Sequence, residues 1–374
     1  MKLTESMKTK RCLMVCGGGG VGKTTIAASL AIAATHAQKR ILVVTIDPAK
    51  RLAEAFGFSM KQLEENGEPL LLSDEIKKNL GIPADSSLHV GLLNPKYVLE
   101  QVLVQTLSEQ QRAQLKRTML YSQLSEMIYG LQEYTAYEWV TRMIQNNEYD
   151  LIVLDTPPAF HAKDFFNAPE KIRHLMESRV FQIFLPKKAS WFTKIINFSW
   201  VEKLLGEKIF SESKVFFETF TLLRDRILER CELLSRFFTE QSVSVVSVST
   251  PEATAQLELE GLITFLKTKK IPVETIVMNQ VEQAPKSASE SIGAMGAAIH
   301  ESGDAAAKNN TGTATLREKI EQLHSFQRQK AERAQIVIQK CREKYPASEV
   351  IVVPMDYAET GFDILRSASA ALTI

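Results

Sequence analysis

Apolar residues fall into two spacings along this chain. Short, almost uninterrupted apolar runs of strand length occur at 12–16, 41–46, 151–154, 243–248, 273–278 and 350–353. Runs that are apolar at every position suit parallel strands covered by helices on both faces. Between them lie stretches with apolar residues every three to four positions, at 26–37, 95–111, 117–145, 224–238, 253–267 and 314–345, with a last one starting near Gly361. That spacing is the mark of helices with one buried stripe. On the long segment 314–345 the expected stripe is Leu316, Ile320, Leu323, Ala334, Ile338 and Cys341. Strands alternating with helices predict an α/β fold with a mostly parallel sheet flanked by helices.

Three stretches interrupt the alternation. Residues 57–91 are punctuated by Gly, Pro, Asn and Asp, with room for short helical pieces. Residues 160–240 hold thirteen of the eighteen phenylalanines, which predicts an inserted, aromatic-rich helical subdomain. It reads either as a surface for a hydrophobic client, a membrane or a partner, or as ordinary aromatic packing. Residues 282–315 are rich in Ala, Ser, Gly and Asn and predict a flexible excursion. The whole of 1–374 is expected to be one domain carrying these insertions.

Composition narrows the function classes. A net charge of +1 with 24% charged residues offers no basic surface for nucleic acid. No apolar run is long enough to span a membrane, and no signal peptide precedes the first glycines. The four cysteines, Cys12, Cys16, Cys231 and Cys341, have no zinc or disulfide spacing, so a cytoplasmic chain without structural zinc is expected. Cys12 and Cys16 should face one side of the first strand and pack there.

The chemistry is concentrated where that strand ends. RCLMVCGGGGVGKTT places G-x-x-x-x-G-K-[ST], Gly17 to Thr24, between a strand and an Ala-rich helix. The backbone N–H groups of Gly17, Gly19, Gly20, Val21, Gly22 and Thr25 can turn toward one anion, helped by the positive end of the helix dipole. Lys23 would reach the β- and γ-phosphates, and the Thr24 hydroxyl would ligate Mg²⁺. The chain is therefore expected to bind a nucleoside triphosphate. Asp47, at the end of the second apolar run, stands where α/β sheets bind ligands, or else caps the next helix. Asp155 ends the run 151–154 and suits a second Mg²⁺-organising position. Pro157 and Pro158 are expected to stiffen a loop through Phe160 and His161 that senses the γ-phosphate. Asn279 follows another strand, either as a turn former or as a partner for a base.

Together these motifs resemble the arsenite-pump-like ATPases, a family that includes cytosolic factors targeting tail-anchored membrane proteins. The resemblance rests on GGGGVGKTT, TIDPAKRLAEAFG, QEYTAYEW, YDLIVLDTPPAFHA, STPE, VMNQ and VVPM. It implies a P-loop NTPase fold and a Mg²⁺-dependent, dimeric ATPase. ATP is preferred over GTP on the same ground, and no N-K-x-D segment stands after a strand. The implied roles are Asp47 orienting the attacking water, Lys23 holding phosphate charge, Thr24 and Asp155 at the metal, and Asn279 with the stretch from Pro354 around adenine. It further implies a cytoplasmic switch, free or at the membrane surface, that handles a hydrophobic protein segment or a membrane-associated partner. An anion- or metalloid-pump subunit and an ATP-binding scaffold with little turnover are the alternatives.

Two departures qualify the resemblance. Relatives carry a signature lysine in the loop that crosses the dimer interface, and here Gly18 holds its place. Either Lys50 or Arg51 substitutes in a homodimer, or a lysine-bearing paralogue completes a heterodimer, or the chain is a slow ATPase. The cysteines also lack both the cluster a thiophilic ion needs and the C-x-x-C that bridges dimers in eukaryotic targeting factors.

Overall fold

The computed structural model describes residues 2–46, 51–58, 67–118, 132–157, 159–177, 221–233, 242–285, 310–356 and 360–373, with Tyr121, Phe216 and Thr219 besides. Eight strands form one sheet: β1 (Cys12–Gly17), β2 (Arg40–Thr45), β3 (Leu70–Leu71), β4 (Ser87–Leu92), β5 (Leu151–Asp155), β6 (Val243–Ser249), β7 (Val273–Val281) and β8 (Glu349–Pro354). Their order is β3-β4-β2-β5-β1-β6-β7-β8. Among the described residues only β3, against β4, is antiparallel. The first strand is central, in register with Ile152 on one side and Val243 on the other at Cys12. This is the mostly parallel α/β sheet expected.

Helices cover both faces: α1 (Lys2–Thr9), α2 (Lys23–Ala34), α3 (Arg51–Ala55), α4 (Asp74–Leu80), α5 (Pro95–Thr106), α6 (Glu109–Lys116), α7 (Gln132–Gln145), α8 (Ala159–Glu177), α9 (Ala253–Thr268), α10 (Asn310–Lys344) and α11 (Gly361–Thr373). Side chains alternate across β1 as strand geometry requires. Leu13 and Val15 join Ile26, Leu30 and Leu365 of α2 and α11. Cys12, Met14 and Cys16 face the opposite layer with Trp139 and Phe165 of α7 and α8. The two cysteines therefore pack on one side of the strand, as their spacing predicts.

Several elements differ from the sequence expectation. The punctuated stretch 57–91 contains an entire strand, β4, parallel to β2. Gly91 serves this strand because a Cβ there would lie 2.7 Å from the Trp139 ring. The helical run 95–111 is broken at Ser108, whose hydroxyl accepts from Gln111 N while the Gln111 side chain accepts from Ser108 N. That capping box starts a second helix where spacing alone shows a continuous one. The expected loop through Phe160 and His161 is the first turn of α8, which starts at Ala159. Residues 2–9, read only for the lack of a signal peptide, form α1 at the amino edge of the sheet. On α10, Ala334, Ile338 and Cys341 are buried as expected and Leu323 is 55% exposed, while the side chains of Leu316 and Ile320 lie outside the described residues.

The described ends of the aromatic stretch belong to the main core, since Phe165, Phe166 and Phe216 are buried in the α7–α8 layer. A buried ion pair ties residues 221–233 to α7. Arg230 Nε donates to both carboxylate oxygens of Glu138 at 3.0 Å, and Arg230 Nη1 donates to Gln145 at 2.7 Å. Residues 178–215, with Trp191 and Trp200, and 286–309, within the predicted excursion, lie outside the described residues.

Candidate functional site

The loop from Gly17 to Gly22 leaves the carboxyl end of β1 and turns into α2. Close approach explains its first glycine, because a Cβ on Gly17 would lie 2.3 Å from Val248 O of β6. Gly22 has φ of 84°, a left-handed conformation that glycine adopts without strain. A Cβ on Gly22 would also meet the Asn279 amide at 2.3 Å. Gly19 and Gly20 are exposed, with open space where side chains would stand. The loop thus presents bare backbone to solvent at a helix N-terminus, the arrangement that binds phosphate.

Lys23 is 9% exposed and folds back over the loop, its ammonium donating to Gly18 O at 2.6 Å. Thr24 and Asp155 meet: the Thr24 hydroxyl donates to Asp155 Oδ2 at 2.8 Å. The Thr45 hydroxyl at the end of β2 donates to the same oxygen at 3.1 Å. Asp155 is 1% exposed. A threonine hydroxyl beside a carboxylate is a hard-oxygen donor set, which fits Mg²⁺. Thr156 anchors the strand that carries Asp155, donating to Val15 O at 2.9 Å. Thr45 was missed as a site residue, although it is the polar position that ends an otherwise apolar strand.

Asn279 is not past the strand but inside β7, 7% exposed, and its amide donates to Val21 O at 2.9 Å. It therefore braces the phosphate loop. Gln280 follows with φ of 55°, where the register with β8 shifts. Pro354 pairs with Val281 in that register and lines a cavity of 490 Å³ between β8 and α10. Thr25 is partly exposed in the first turn of α2. Asp47 and Lys50 lie outside the described residues.

Gly18 has an unforeseen neighbour. A Cβ at this position would lie 1.9 Å from Glu258 Oε2, on the first half of α9. Any side chain at position 18 would have to displace that carboxylate, which is exposed and free to swing. Nothing in the spacing of α9 signals this contact.

All four cysteines are buried thiols. Burial pushes Cys16 up to about 11, against the opposing Thr156 hydrogen bond, and Cys231 up to about 12. Among the described residues no group of three or more His, Cys, Asp or Glu is placed to hold a metal, and no helix is long and apolar enough to cross a membrane.

Residues 10–295 match the sequence profile of the anion-transporting ATPase family. The match takes in the phosphate loop, Asp155 and Asn279 and ends before α10 and Pro354. Among curated proteins the chain is similar to the ATPase get3 of Schizosaccharomyces japonicus, 27% identical over 269 residues, 72% of this chain and 74% of the relative. An ATPase ASNA1 homolog of Entamoeba histolytica is 27% identical over 284 residues, 73% of this chain and 77% of the relative. ATPase ASNA1 homolog 2 of Paramecium tetraurelia is 24% identical over 270 residues, 72% and 75% of the two chains.

Proposed function

The chain belongs to the anion-transporting ATPase family and is an ATPase, and on that premise we propose that it works as a Mg²⁺-dependent dimeric switch that spends ATP handling a hydrophobic protein segment or a membrane-associated partner. The observation that carries the ATP-driven part is the Thr24–Asp155 contact of 2.8 Å at the mouth of an open glycine loop. It joins the phosphate cradle to a metal-organising carboxylate.

Each residue has a role in this reading. The backbone N–H groups from Gly17 to Thr25 and the Lys23 ammonium hold the phosphates. To do so, Lys23 exchanges its bond to Gly18 O for phosphate oxygens. Thr24 would ligate Mg²⁺ and Asp155 would support it; the ion, when bound, neutralises charge on the β- and γ-oxygens. Asp47 orients the water that attacks the γ-phosphorus in line, and ADP leaves without a covalent intermediate on the protein. An aspartate of ordinary acidity is a poor base, so positioning and charge stabilisation supply the rate. Asn279 keeps the loop in shape next to the nucleoside, and Pro354 borders the adenine end.

The cargo half of the proposal is supported by the resemblance to targeting factors and by the phenylalanines in the sequence of 178–215, since Phe165, Phe166 and Phe216 pack in the main core. The scattered, buried thiols favour it over a metalloid pump, because a thiophilic ion needs clustered thiolates. Gly18 leaves the loop without the family's signature lysine. The dimer is therefore either a homodimer in which Lys50 or Arg51 supplies the charge, or a heterodimer with a lysine-bearing paralogue.

Steady-state ATP hydrolysis by the purified chain across protein concentrations tests this, with Asp47→Asn as control. Turnover rising steeply with concentration and lost in the variant is expected of a self-sufficient dimer. Tight ATP binding with negligible turnover at every concentration would sink the homodimer.

A further inference from the structure

Asp155 is gripped by two hydroxyls that differ in their access to solvent. Thr24, partly exposed in the first turn of α2, donates to Oδ2 at 2.8 Å. Thr45, only 3% exposed, donates to the same oxygen at 3.1 Å. An ionised carboxylate only accepts, so both hydroxyl protons point at Asp155. The lone pairs of the Thr24 oxygen are thereby left for a cation at the mouth of the loop, whereas Thr45 is shut away from solvent.

The buried hydroxyl sits in a rigid frame. Thr45 is in register with Asp155 of β5 on one side and with Leu92 of β4 on the other. Its carbonyl accepts from Leu93 N at 3.1 Å, and the next residue, Ile46, donates its N–H to Asp155 O at 3.2 Å. Asp155 is thus joined to the end of β2 through both its side chain and its main chain. By shape alone a valine would suit this place, since β2 otherwise runs Ile-Leu-Val-Val through the core. A buried hydroxyl costs free energy unless it is bonded, and this one is bonded to the acid assigned to the metal.

We infer that Thr45 is a positioning residue for Mg²⁺. It holds the Asp155 carboxylate turned toward Thr24 whether or not the ion is bound, and it acts through that carboxylate without touching the ion. It also ties the carboxylate to the strand that leads, two residues on, to Asp47, so the end of one strand serves both the metal and the water-orienting acid. The inference rests on the reading of Thr24 and Asp155 as the Mg²⁺ site.

The test measures ADP affinity of the full-length chain by calorimetry, once with Mg²⁺ and once with the ion chelated. ADP is not turned over, so the readout is binding alone. The parent should gain affinity from Mg²⁺. Thr45→Val should forfeit about tenfold of that gain, the lower end of the usual loss, about 10–100-fold, on removing a group that supports a metal ligand. Its ADP affinity without Mg²⁺ should stay within about twofold of the parent, which also shows that it is folded. Thr45→Ser keeps the hydroxyl and should keep most of the gain. An undiminished gain in Thr45→Val, an equal loss with and without the ion, or a loss in Thr45→Ser as large as in Thr45→Val would overturn the inference. Thr24→Val should remove most of the gain; if it does not, or if the parent gains nothing from Mg²⁺, the reading of the metal site fails and the role of Thr45 falls with it.

Discussion

Two carboxylates at opposite ends of the sheet are held in nearly the same way. Asp155, where β5 ends, accepts the hydroxyls of Thr24 and Thr45 at 2.8 and 3.1 Å. Glu274, where β7 begins, accepts the hydroxyls of Ser6 and Ser244 at 3.0 and 2.7 Å. The cation beside Glu274 belongs to the chain, for Lys10 Nζ stands 3.5 Å away. In the proposed function the cation beside Asp155 is Mg²⁺, brought from solution with the nucleotide. Paired hydroxyl donors therefore do not distinguish a structural acid from a functional one, although Asp155 is 1% exposed and the Glu274 side chain 28%. The edge of the sheet does, because parallel strands collect loops and helix N-termini at their carboxyl ends. At the amino end α1 lies across the strand starts instead, with Leu3 N donating to Glu349 at 2.9 Å and Lys2 to Ala347 O.

The largest expected effect belongs to the carboxyl end. Lys23→Ala should lower ATP turnover by about 10²–10³-fold, the usual result of removing a donor aimed at developing charge. An unchanged rate in a steady-state assay would break the comparison outright. Asp155→Asn comes next, with about a 10–100-fold loss of Mg²⁺ affinity or activity. Titrating Mg²⁺ in the same assay checks it, and Glu274→Gln is the matched control. A shift of the Mg²⁺ requirement in the control would show that the two carboxylates do not differ as described.

Glu274→Gln should act on stability alone, lowering it by about 1–2 kcal/mol as its hydroxyl donors and Lys10 lose their anion. Urea unfolding measures this, and a rise in stability would contradict the knot at the amino edge. The smallest effect is on pH. Burial alone would raise the Glu274 carboxyl, but the hydroxyls of Ser244 and Ser6 and the Lys10 ammonium together hold it below its ordinary 4.5. A depressed folded-state value means the contribution is complete above about pH 4.5 and fades as pH falls through the lower folded-state value. The parent should thus lose stability in that acid window more steeply than Glu274→Gln, and parallel curves would argue against the charge pairing.

Much of this was legible in the sequence because it depends on local signals. The strand–glycine–helix order around Gly17 to Thr24 and the acid ending β5 are each written in consecutive residues. Strand β4 was hidden because Gly91 and its punctuated flanks break the apolar run; the glycine is there for Trp139, some fifty positions later. Asn279 reads locally as a residue beyond a strand, whereas its contact is with Val21 across the sheet. The pairing of Gly18 with Glu258 is equally unreadable, since two elements far apart in the chain create it. On α10 Leu323 keeps the spacing of the buried stripe and is nonetheless 55% exposed, because spacing records which residues share a face and not whether anything covers it.

The strand order also dictates when the protein can first work. β1 and its phosphate loop leave the ribosome early, but their neighbours are β5 and β6, and the brace on Val21 comes from Asn279 in β7. At about 5–20 residues per second of synthesis, the loop waits on the order of ten to fifty seconds for its walls. Chains ending before residue 243 should fail to retain ATP, and ribosome-bound chains of increasing length would show where retention begins. Nucleotide capture then becomes an event of biogenesis that follows the synthesis of β7, by which a newly made chain registers that the walls of its phosphate loop are in place.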